Sequence, residues 1–298
     1  MALVVVGSVA YDGVETPHGK VERMLGGACT YISLAASYFT EVGIVAVVGE
    51  DFDPADRAFL ARRKIGLEGL ETKPGKTFFW SGVYSQDMND RTTLRTDLNV
   101  FAEFQPVLPA SYRSQPYLLL GNIQPALQQS VRAQMSALRL AGGDTMNYWI
   151  QDYREELLAA IRHWDFLLIN DGEARMLSGE HNLRRAARAI ARMGPSTLVI
   201  KRGEHGALLF HQDRLFAAPG YLLDDVCDPT GAGDCFAGGF IGYLSQGQAE
   251  WQDLCRAVIY GSVMGSFCCE RFGVERFRTL TRAEIDARFE EFRRITEF

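Results

Sequence analysis

An aspartate lies between a glycine-rich turn and an apolar run in the segment CDPTGAGDCFAGGFIGYL, residues 227–244. Phe236, Phe240 and Leu244 share one face of the helix that this run predicts, which would begin near Asp234. A helix N-terminus presents free backbone N–H groups and a partial positive charge, which suits a phosphate or a developing anion. A carboxylate beside such a site can take a proton from a hydroxyl that attacks phosphorus. Asp234 is therefore either a general base or a residue that only caps the helix.

Short apolar runs alternate with amphipathic segments along most of the chain, and these elements must position Asp234. Strands are predicted at residues 3–8, 43–51, 117–121, 165–170 and 196–203. Helices are predicted at residues 28–39, 125–139, 154–163 and 182–193. Strands that alternate with helices indicate a mostly parallel sheet covered on both faces. The sequence therefore predicts the α/β fold class.

A different pattern occupies residues 76–101, where β-branched and aromatic side chains flank the turn signal Asn89-Asp90. Two such runs around a short polar turn are typical of a β-hairpin. Together with the polar segment 11–24, this hairpin predicts a small β lid over the main sheet.

Two other glycine motifs do not meet their patterns. Gly75-Lys76-Thr77 looks like the end of a phosphate loop, but the required first glycine would stand at Leu70, so a turn entering a strand explains it better. A dinucleotide fingerprint also fails, because the third glycine after Gly231 and Gly233 is misplaced.

The bulk composition excludes several classes of protein. With 298 residues and 47% hydrophobic side chains, the chain can form one large α/β domain or two smaller ones. A formal net charge of −6 argues against a general nucleic-acid binder. The six cysteines show neither zinc spacing nor a disulfide framework, which predicts reduced thiols. No apolar run reaches the roughly 18 residues of a membrane span, and the N-terminus lacks the basic start of a signal peptide. These features predict a cytoplasmic protein.

The segment DPTGAGDCFAGGF, residues 228–240, resembles the C-terminal signature of the ribokinase-like sugar kinases, also called the PfkB family. Further segments resemble family elements in the same order along the chain: GSVAYD (7–12), LGGACTYISLAA (25–36), VGED (48–51), DTMN (144–147), NDGE (170–173) and KRGEHGALL (201–209). The resemblance implies one ribokinase-like domain over residues 1–298, a three-layer α/β/α sandwich with a β lid. It also implies an ATP-dependent kinase that phosphorylates a hydroxyl of a small polyol, sugar or nucleoside.

The resemblance assigns a role to each matching residue of the reaction centre. Asp234 becomes the catalytic base, and the N–H groups of Gly231, Ala232 and Gly233 become the anion hole for the transferring phosphoryl group. Asn170 and Glu173 would organise Mg²⁺ and phosphates, largely through water. Alternatively, Asn170 only ends a strand and Glu173 is an ordinary acid of a first helical turn.

The resemblance also extends to the nucleotide and to a monovalent cation. Lys201, Gly203 and Gly206 would border the nucleotide. The helix around residues 257–266 would lie on the adenine side, unless it is a plain packed helix. Asp228 and Thr230 match positions that bind K⁺ in many relatives, although both residues could simply shape the turn.

On the acceptor side, Asp12, Gly26, Gly27 and Tyr31 are assigned to substrate binding, with Asp12 holding hydroxyls unless it is a solvated loop residue. Ribokinases carry a lysine and an asparagine after the glycine pair, where this chain has Ala28 and Tyr31. Tyr31 therefore either packs in the core or shapes a pocket for a different polyol or a nucleoside. The pattern GGACTYIS is closer to the inositol and nucleoside kinases of the family.

The lid also predicts a homodimer, because its sheet edges and side chains such as Phe78, Trp80 and Val83 would seek a partner. Two other functions remain open on the same fold. One is a phosphofructokinase, or a kinase with a donor other than ATP. The other is a catalytically idle ligand sensor, against which the intact Asp234, Asn170 and Glu173 argue.

Overall fold

Two β-sheets organise the protein in the computed structural model, which describes residues 2–297. Within these residues the strands are β1 (Leu3–Val6), β2 (Ala10–Thr16), β3 (Gly19–Gly26), β4 (Val42–Gly49), β5 (Ile65–Lys73), β6 (Phe78–Tyr84), β7 (Arg91–Asp97), β8 (Tyr117–Leu120), β9 (Leu140–Gly143), β10 (Phe166–Asn170), β11 (Thr197–Lys201), β12 (Ala207–His211) and β13 (Arg214–Ala218). The α-helices are α1 (Ala28–Ala36), α2 (Pro54–Arg62), α3 (Pro125–Ala133), α4 (Asn147–Asp152), α5 (Arg154–Ile161), α6 (Asp171–Ser178), α7 (Leu183–Ala191), α8 (Ala232–Leu244), α9 (Trp251–Cys269), α10 (Glu275–Thr279) and α11 (Arg282–Thr296).

The larger sheet has the strand order β13-β12-β11-β10-β9-β8-β1-β4-β5. Its strands are parallel from β11 to β5, and the hairpin β12–β13 adds an antiparallel edge. Side chains alternate between the two faces of a strand, and both faces are apolar here. Leu3 and Val5 pack with α1, α8 and α9, whereas Val4 and Val6 pack with α3, α5 and α7 on the other face. The predicted α/β/α sandwich is confirmed.

The smaller sheet, which we call the lid, has the strand order β3-β2-β6-β7. The strands β6 and β7 form an antiparallel hairpin whose turn is closed by the hydrogen bond from the Ser85 N–H to the Asp90 carbonyl, 2.9 Å. The strand β2 pairs with β6 in parallel and with β3 in antiparallel orientation. The lid predicted from residues 11–24 and 76–101 is therefore present, and Gly75-Lys76-Thr77 forms a turn that enters β6.

Glycines in α8 let this helix approach its neighbours closely. A methyl group on residue 239 would lie 2.6 Å from the Tyr260 carbonyl oxygen of α9, and one on residue 238 would overlap the Ile32 carbonyl of α1. The glycines after Asp234 are therefore explained by helix packing. This packing fixes α8 between α1 and α9.

The largest difference from the predicted elements is at the end of α3. The helix predicted for residues 125–139 ends at Ala133, because the chain must turn towards β9. The Gln134 side chain accepts from the Leu108 N–H at 2.9 Å, and the Ser136 N–H donates to the Arg113 carbonyl at 2.8 Å. These bonds hold residues 134–136 outside the helix.

The six cysteines are all unpaired thiols, as their spacing predicted. Among the helices within residues 2–297, none combines the length and hydropathy that a bilayer crossing requires. The assignment of residues 1–298 to one domain stays a prediction.

Candidate active site

Polar groups meet at the carboxyl ends of the parallel strands of the larger sheet. Asp144 follows β9, Asn170 ends β10 and Lys201 ends β11. Parallel strands share one carboxyl edge, where open α/β sheets bind their ligands. The N-terminus of α8 lies at the same edge, because a methyl group on residue 233 would lie 3.0 Å from the Lys201 Nζ atom. Lys201 thus places a positive charge beside the first turn of α8.

Asp234 is the third residue of α8, because this helix begins at Ala232, two residues before the start that the sequence predicted. The N-cap residue is Gly231, whose φ of 78° is a left-handed conformation that favours glycine. No side-chain hydrogen bond caps α8, so the interpretation of Asp234 as a helix cap is wrong. The carboxylate remains available for chemistry beside the turn.

The turn formed by residues 228–233 carries the predicted anion hole. The Ala232 N–H donates to the Pro229 carbonyl at 3.1 Å, so an anion would compete with this internal bond for that N–H group. Beneath the turn lies Tyr31: a methyl group on residue 231 would lie 2.5 Å from its ring carbons. The absence of a side chain at Gly231 therefore lets the turn rest on an aromatic ring.

Asp228 holds the shape of this turn. The side chain is fully buried, and its two oxygens accept from the Thr230 and Gly273 N–H groups, both at 2.9 Å. The Thr230 hydroxyl donates to the Tyr84 hydroxyl of the lid at 3.1 Å. In this structure both residues do what the turn-shaping alternative requires, and the K⁺ site stays a prediction.

The carboxyl groups of the site have raised pKa values. Burial raises the pKa of Asp234 to about 6, while the charges of Lys201 and then Arg91 oppose the rise. Burial also raises the pKa of Asp144 well above its usual range, and the negative charge of Asp234 adds to the effect. Glu173 shows a raised pKa for the same reason, again opposed by Lys201. The site therefore concentrates negative charge that positive groups must balance.

Asn170 and Glu173 form a capping box at the start of α6. The Asn170 side chain accepts from the Glu173 N–H, and the Glu173 carboxylate accepts from the Asn170 N–H, both at 2.8 Å. Asn170 ends β10 and Glu173 is an acid in the first turn of α6, as the structural alternative predicted. Their predicted role with phosphates and magnesium stays a prediction.

The donor set fits a weakly held magnesium ion. Among residues 2–297, no group of three or more His, Cys, Asp and Glu side chains is arranged to hold a metal ion. Mg²⁺ normally keeps several waters and uses one or two carboxylates together with substrate phosphates. Asp144 supplies such a group: it is 8% exposed, and its Oδ1 atom has no hydrogen-bond partner within the described chain. Glu173 lies near enough for its charge to act on Asp144.

Asp12 lies on β2 of the lid and is 5% exposed, so it is not a solvated loop residue. Burial, and then the charge of Asp228, raises its pKa to about 7. A methyl group on residue 26 would overlap the Asp12 carboxylate, so Gly26 makes room for this side chain. Gly27 has a φ of 91°, and a methyl group there would lie 2.5 Å from the Ser8 carbonyl oxygen. Gly26 and Gly27 thus let the chain pass close to the Asp12 carboxylate and to the backbone that follows β1.

Tyr31 is 1% exposed, and its hydroxyl has no hydrogen-bond partner among residues 2–297. Its ring packs under Gly231, as the core-packing alternative requires. A buried hydroxyl without a partner is costly, so this group would gain from a ligand or water that reached it.

The predicted nucleotide residues differ in their surroundings. Gly203 is exposed, and a methyl group there would lie 3.8 Å from the Asn89 Oδ1 atom at the tip of the lid hairpin. Gly206 is buried, and a methyl group there would overlap the Ala218 carbonyl, so packing accounts for this glycine. Residues 257–266 belong to α9, which packs on α8 through Gly239 and Gly261.

Sequence reasoning assigned no place at the site to three side chains of the lid hairpin. Tyr84 reaches Thr230, and Arg91 lies opposite Tyr84 in the β6–β7 register. The charge of Arg91 lowers the pKa of Asp12, Asp234 and Glu173. Trp80 lies opposite Asp12 in the β2–β6 register. The alternation of β6 from Trp80 to Tyr84 was the available signal, but it does not say which face meets the main sheet.

Comparison with known proteins adds to this geometry. The family model described as pfkB family carbohydrate kinase matches residues 2–279. A cytidine kinase of Thermococcus kodakarensis is 27% identical over 286 residues, which cover 94% of this chain and 96% of that protein.

Two solved structures show the same fold. The Burkholderia thailandensis nucleoside kinase in complex with inosine has a TM-score of 0.78 at 22% identity, covering 97% of this chain and 98% of that one. The aminoimidazole riboside kinase of Salmonella enterica, complexed with aminoimidazole riboside and an ATP analogue, has a TM-score of 0.76 at 18% identity. That alignment covers 97% of this chain and 100% of the other.

Proposed function

The chain belongs to the pfkB family of carbohydrate kinases, which are phosphotransferases, and we propose that it transfers a phosphoryl group from ATP to a hydroxyl of a small polyol, sugar or nucleoside with Asp234 as general base. One observation carries the proposal. Asp234 lies in the first turn of α8, directly after the glycine turn and beside Lys201. A base next to an anion site and a cation is the arrangement that phosphoryl transfer needs.

The acceptor binds between the lid and the carboxyl edge of the larger sheet. The ionised carboxylate of Asp12 binds the hydroxyl groups of the substrate, because it can only accept hydrogen bonds and each hydroxyl can donate one. The acceptor binds between Asp12 and Asp234. These two carboxyl groups are close enough for the charge of Asp234 to raise the pKa of Asp12. Asp234 then takes the proton of the attacking hydroxyl. The hydroxyl oxygen forms the new bond to the γ-phosphorus, and the bond between this phosphorus and the ADP oxygen breaks.

Negative charge on the transferring group is balanced by this chain's own donors. The N–H groups of residues 231–233 lie at the start of α8, where the helix dipole also favours an anion. Lys201 adds a full positive charge beside them. Asp144 and Glu173 would hold Mg²⁺ through water, and the ion supplies charge neutralisation for the phosphates.

The finer assignments follow from the same reading. Gly203 and residues 257–266 border the nucleotide, and Asp228 with Thr230 binds K⁺ through carbonyl and hydroxyl oxygens. Equal activity in potassium and bulky organic-cation buffers would exclude the K⁺ site. The single domain over residues 1–298 and a cytoplasmic location are also part of the proposal.

A phosphotransfer assay with ATP and Mg²⁺ against a panel of polyols, sugars and nucleosides tests the function. We expect ADP formation that depends on one class of acceptor and is lost in Asp234→Asn. A ligand sensor on this fold would bind an acceptor without forming ADP. A phosphofructokinase would instead prefer fructose phosphate, which is assayed beside the panel.

A further inference from the structure

The lid presents a tryptophan to the active-site cleft. Trp80 on β6 lies opposite Asp12 on β2 in the parallel register, and residues that are directly opposite point to the same face of a sheet. Side chains alternate along a strand, so Trp80, Gly82 and Tyr84 share this face. Tyr84 contacts Thr230 beside the anion-hole turn. Trp80 therefore lies on the face of the lid that meets the larger sheet.

The indole ring of Trp80 lies along this face instead of standing away from it. A methyl group on residue 82 would lie 2.6 Å from the indole carbons Cη2 and Cζ2, so the ring needs the space that Gly82 leaves. The indole N–H donates to the Thr93 Oγ1 atom at 3.3 Å, which fixes the ring orientation. The Arg91 guanidinium carbon lies 5.7 Å from the ring centroid. Trp80 is half-buried, so part of its surface stays accessible to a ligand.

The position of the indole relative to Asp12 indicates the size of the acceptor. Asp12 lies on β2, whereas the indole crosses from β6 towards Thr93 on β7. Neighbouring strands are about 4.8 Å apart, so the indole lies about one to two strand spacings from Asp12. A single sugar ring held by Asp12 would leave the indole without an occupant. A second, planar ring attached to the sugar would cover it.

We propose that the acceptor is a nucleoside whose sugar hydroxyls bind Asp12 and whose base stacks on Trp80. This inference rests on the proposed function, because it names the acceptor of that kinase. Every base has an aromatic face, so stacking on an indole selects for a base without selecting one base over another. Asp12 and Trp80 divide recognition between them: the carboxylate recognises the sugar and the indole recognises the ring attached to it.

The test uses the full chain with ATP and Mg²⁺ and compares D-ribose with cytidine, uridine, adenosine and inosine. We expect at least one nucleoside to have a lower KM than ribose. Trp80→Leu should raise the KM for that nucleoside on the order of 10- to 100-fold, the range for a lost stacking contact, and leave ribose kinetics unchanged. Trp80→Phe should restore most of the loss, which shows that the aromatic face is required.

Val83→Ala is the matched control, because Val83 lies on the same strand but on the opposite face of the lid. It should leave nucleoside kinetics unchanged. An unaltered nucleoside KM in Trp80→Leu would overturn the inference. It would also be overturned if free sugars or polyols were phosphorylated and no nucleoside were.

Failure of the proposed function has a different signature. In that case no acceptor is phosphorylated, and nucleoside binding measured by calorimetry without ATP tests the Trp80 contact separately. Binding that weakens in Trp80→Leu and recovers in Trp80→Phe would support the inference, and absence of binding would overturn it.

Discussion

At the scale of single residues, the surroundings of Asp234 suit a general base. Burial raises its pKa to about 6, and Lys201 and Arg91 prevent a larger rise. A base works best when its pKa lies near the operating pH, because it is then ionised yet still accepts a proton readily. At neutral pH this carboxyl is mostly ionised.

Replacing Asp234 by asparagine should therefore remove proton transfer and preserve the fold. We expect turnover to fall by about 10²- to 10⁴-fold, the range for a lost general base. Nucleotide binding, measured by calorimetry, should be retained. Asp253→Asn is the control, because Asp253 is also a first-turn acid but belongs to α9. Near-wild-type turnover in purified Asp234→Asn would rule out the base.

Asp12 tests the acceptor side of the same site. Asp12→Ala should raise the acceptor KM strongly while the ATP KM changes little, because lost ground-state binding appears in the KM of the ligand concerned. Glu15→Ala, an exposed acid on the same strand, should leave both values unchanged. If Asp12→Ala has normal acceptor kinetics, the acceptor does not bind between β2 and the larger sheet.

At the scale of elements, the lid combines a surface that faces the larger sheet with exposed edges. The strands β3 and β7 are its edge strands. Phe78, which the sequence marked as a side chain seeking a partner, instead stacks on Phe101 with ring centroids 5.3 Å apart. Leu94 is an apolar side chain on the edge strand β7, and it is 63% exposed. Both edge strands carry charged residues, such as Arg23 on β3 and Arg95 on β7, so the exposed Leu94 is what makes β7 the edge with more to gain from pairing.

We expect two chains to pair through their lids at the β7 edge. Light scattering at micromolar concentration should give the mass of a dimer, and Leu94→Lys should shift it towards the monomer by placing like charges at the edge. Leu215→Lys, at an exposed leucine on β13 of the larger sheet, serves as the control. A sharp monomer mass for the unmodified chain would contradict the prediction.

At the scale of the whole molecule, the two sheets bring five acidic groups with raised pKa values to one cleft: Asp12, Asp144, Glu173, Asp228 and Asp234. A carboxyl whose pKa is raised in the folded state binds its proton more tightly there than in the unfolded chain. The folded state therefore loses stability as these groups ionise. The site is built at the expense of stability, as expected where charge must be concentrated.

The free energy of unfolding should accordingly fall as the pH rises from about 4 to about 7. For Asp12 alone, a pKa raised from 3.8 to about 7 corresponds to about 4 kcal/mol between the two ends of this window. Glu284 has the opposite shift, from 4.5 to about 2, so its contribution to stability rises with pH and opposes the trend only at the acidic end of the window. Urea unfolding at pH 5 and pH 7.5 measures the effect, and Asp12→Asn should reduce the difference. If the free energy of unfolding changes equally between these two pH values in both proteins, the pKa of Asp12 is not raised in the folded state.

The sequence by itself determined the alternating strands and helices, the hairpin of the lid and the order of the motifs around Asp234. These features depend on local periodicity, on turn residues and on spacing within one segment, all of which can be read along the chain. The early end of α3 at Ala133 was not predictable, because it depends on hydrogen bonds to residues 106–113, which are distant in sequence.

Only the tertiary structure decided how the site is completed. The β2–β6 register places Trp80 opposite Asp12, and the β6–β7 register places Arg91 opposite Tyr84. Tyr31 lies under the turn of residues 228–233 because α8 packs closely on α1 at Gly238 and Gly242. Pairing register, burial and the resulting pKa shifts arise between segments far apart in the chain. No pattern within one segment contains that information.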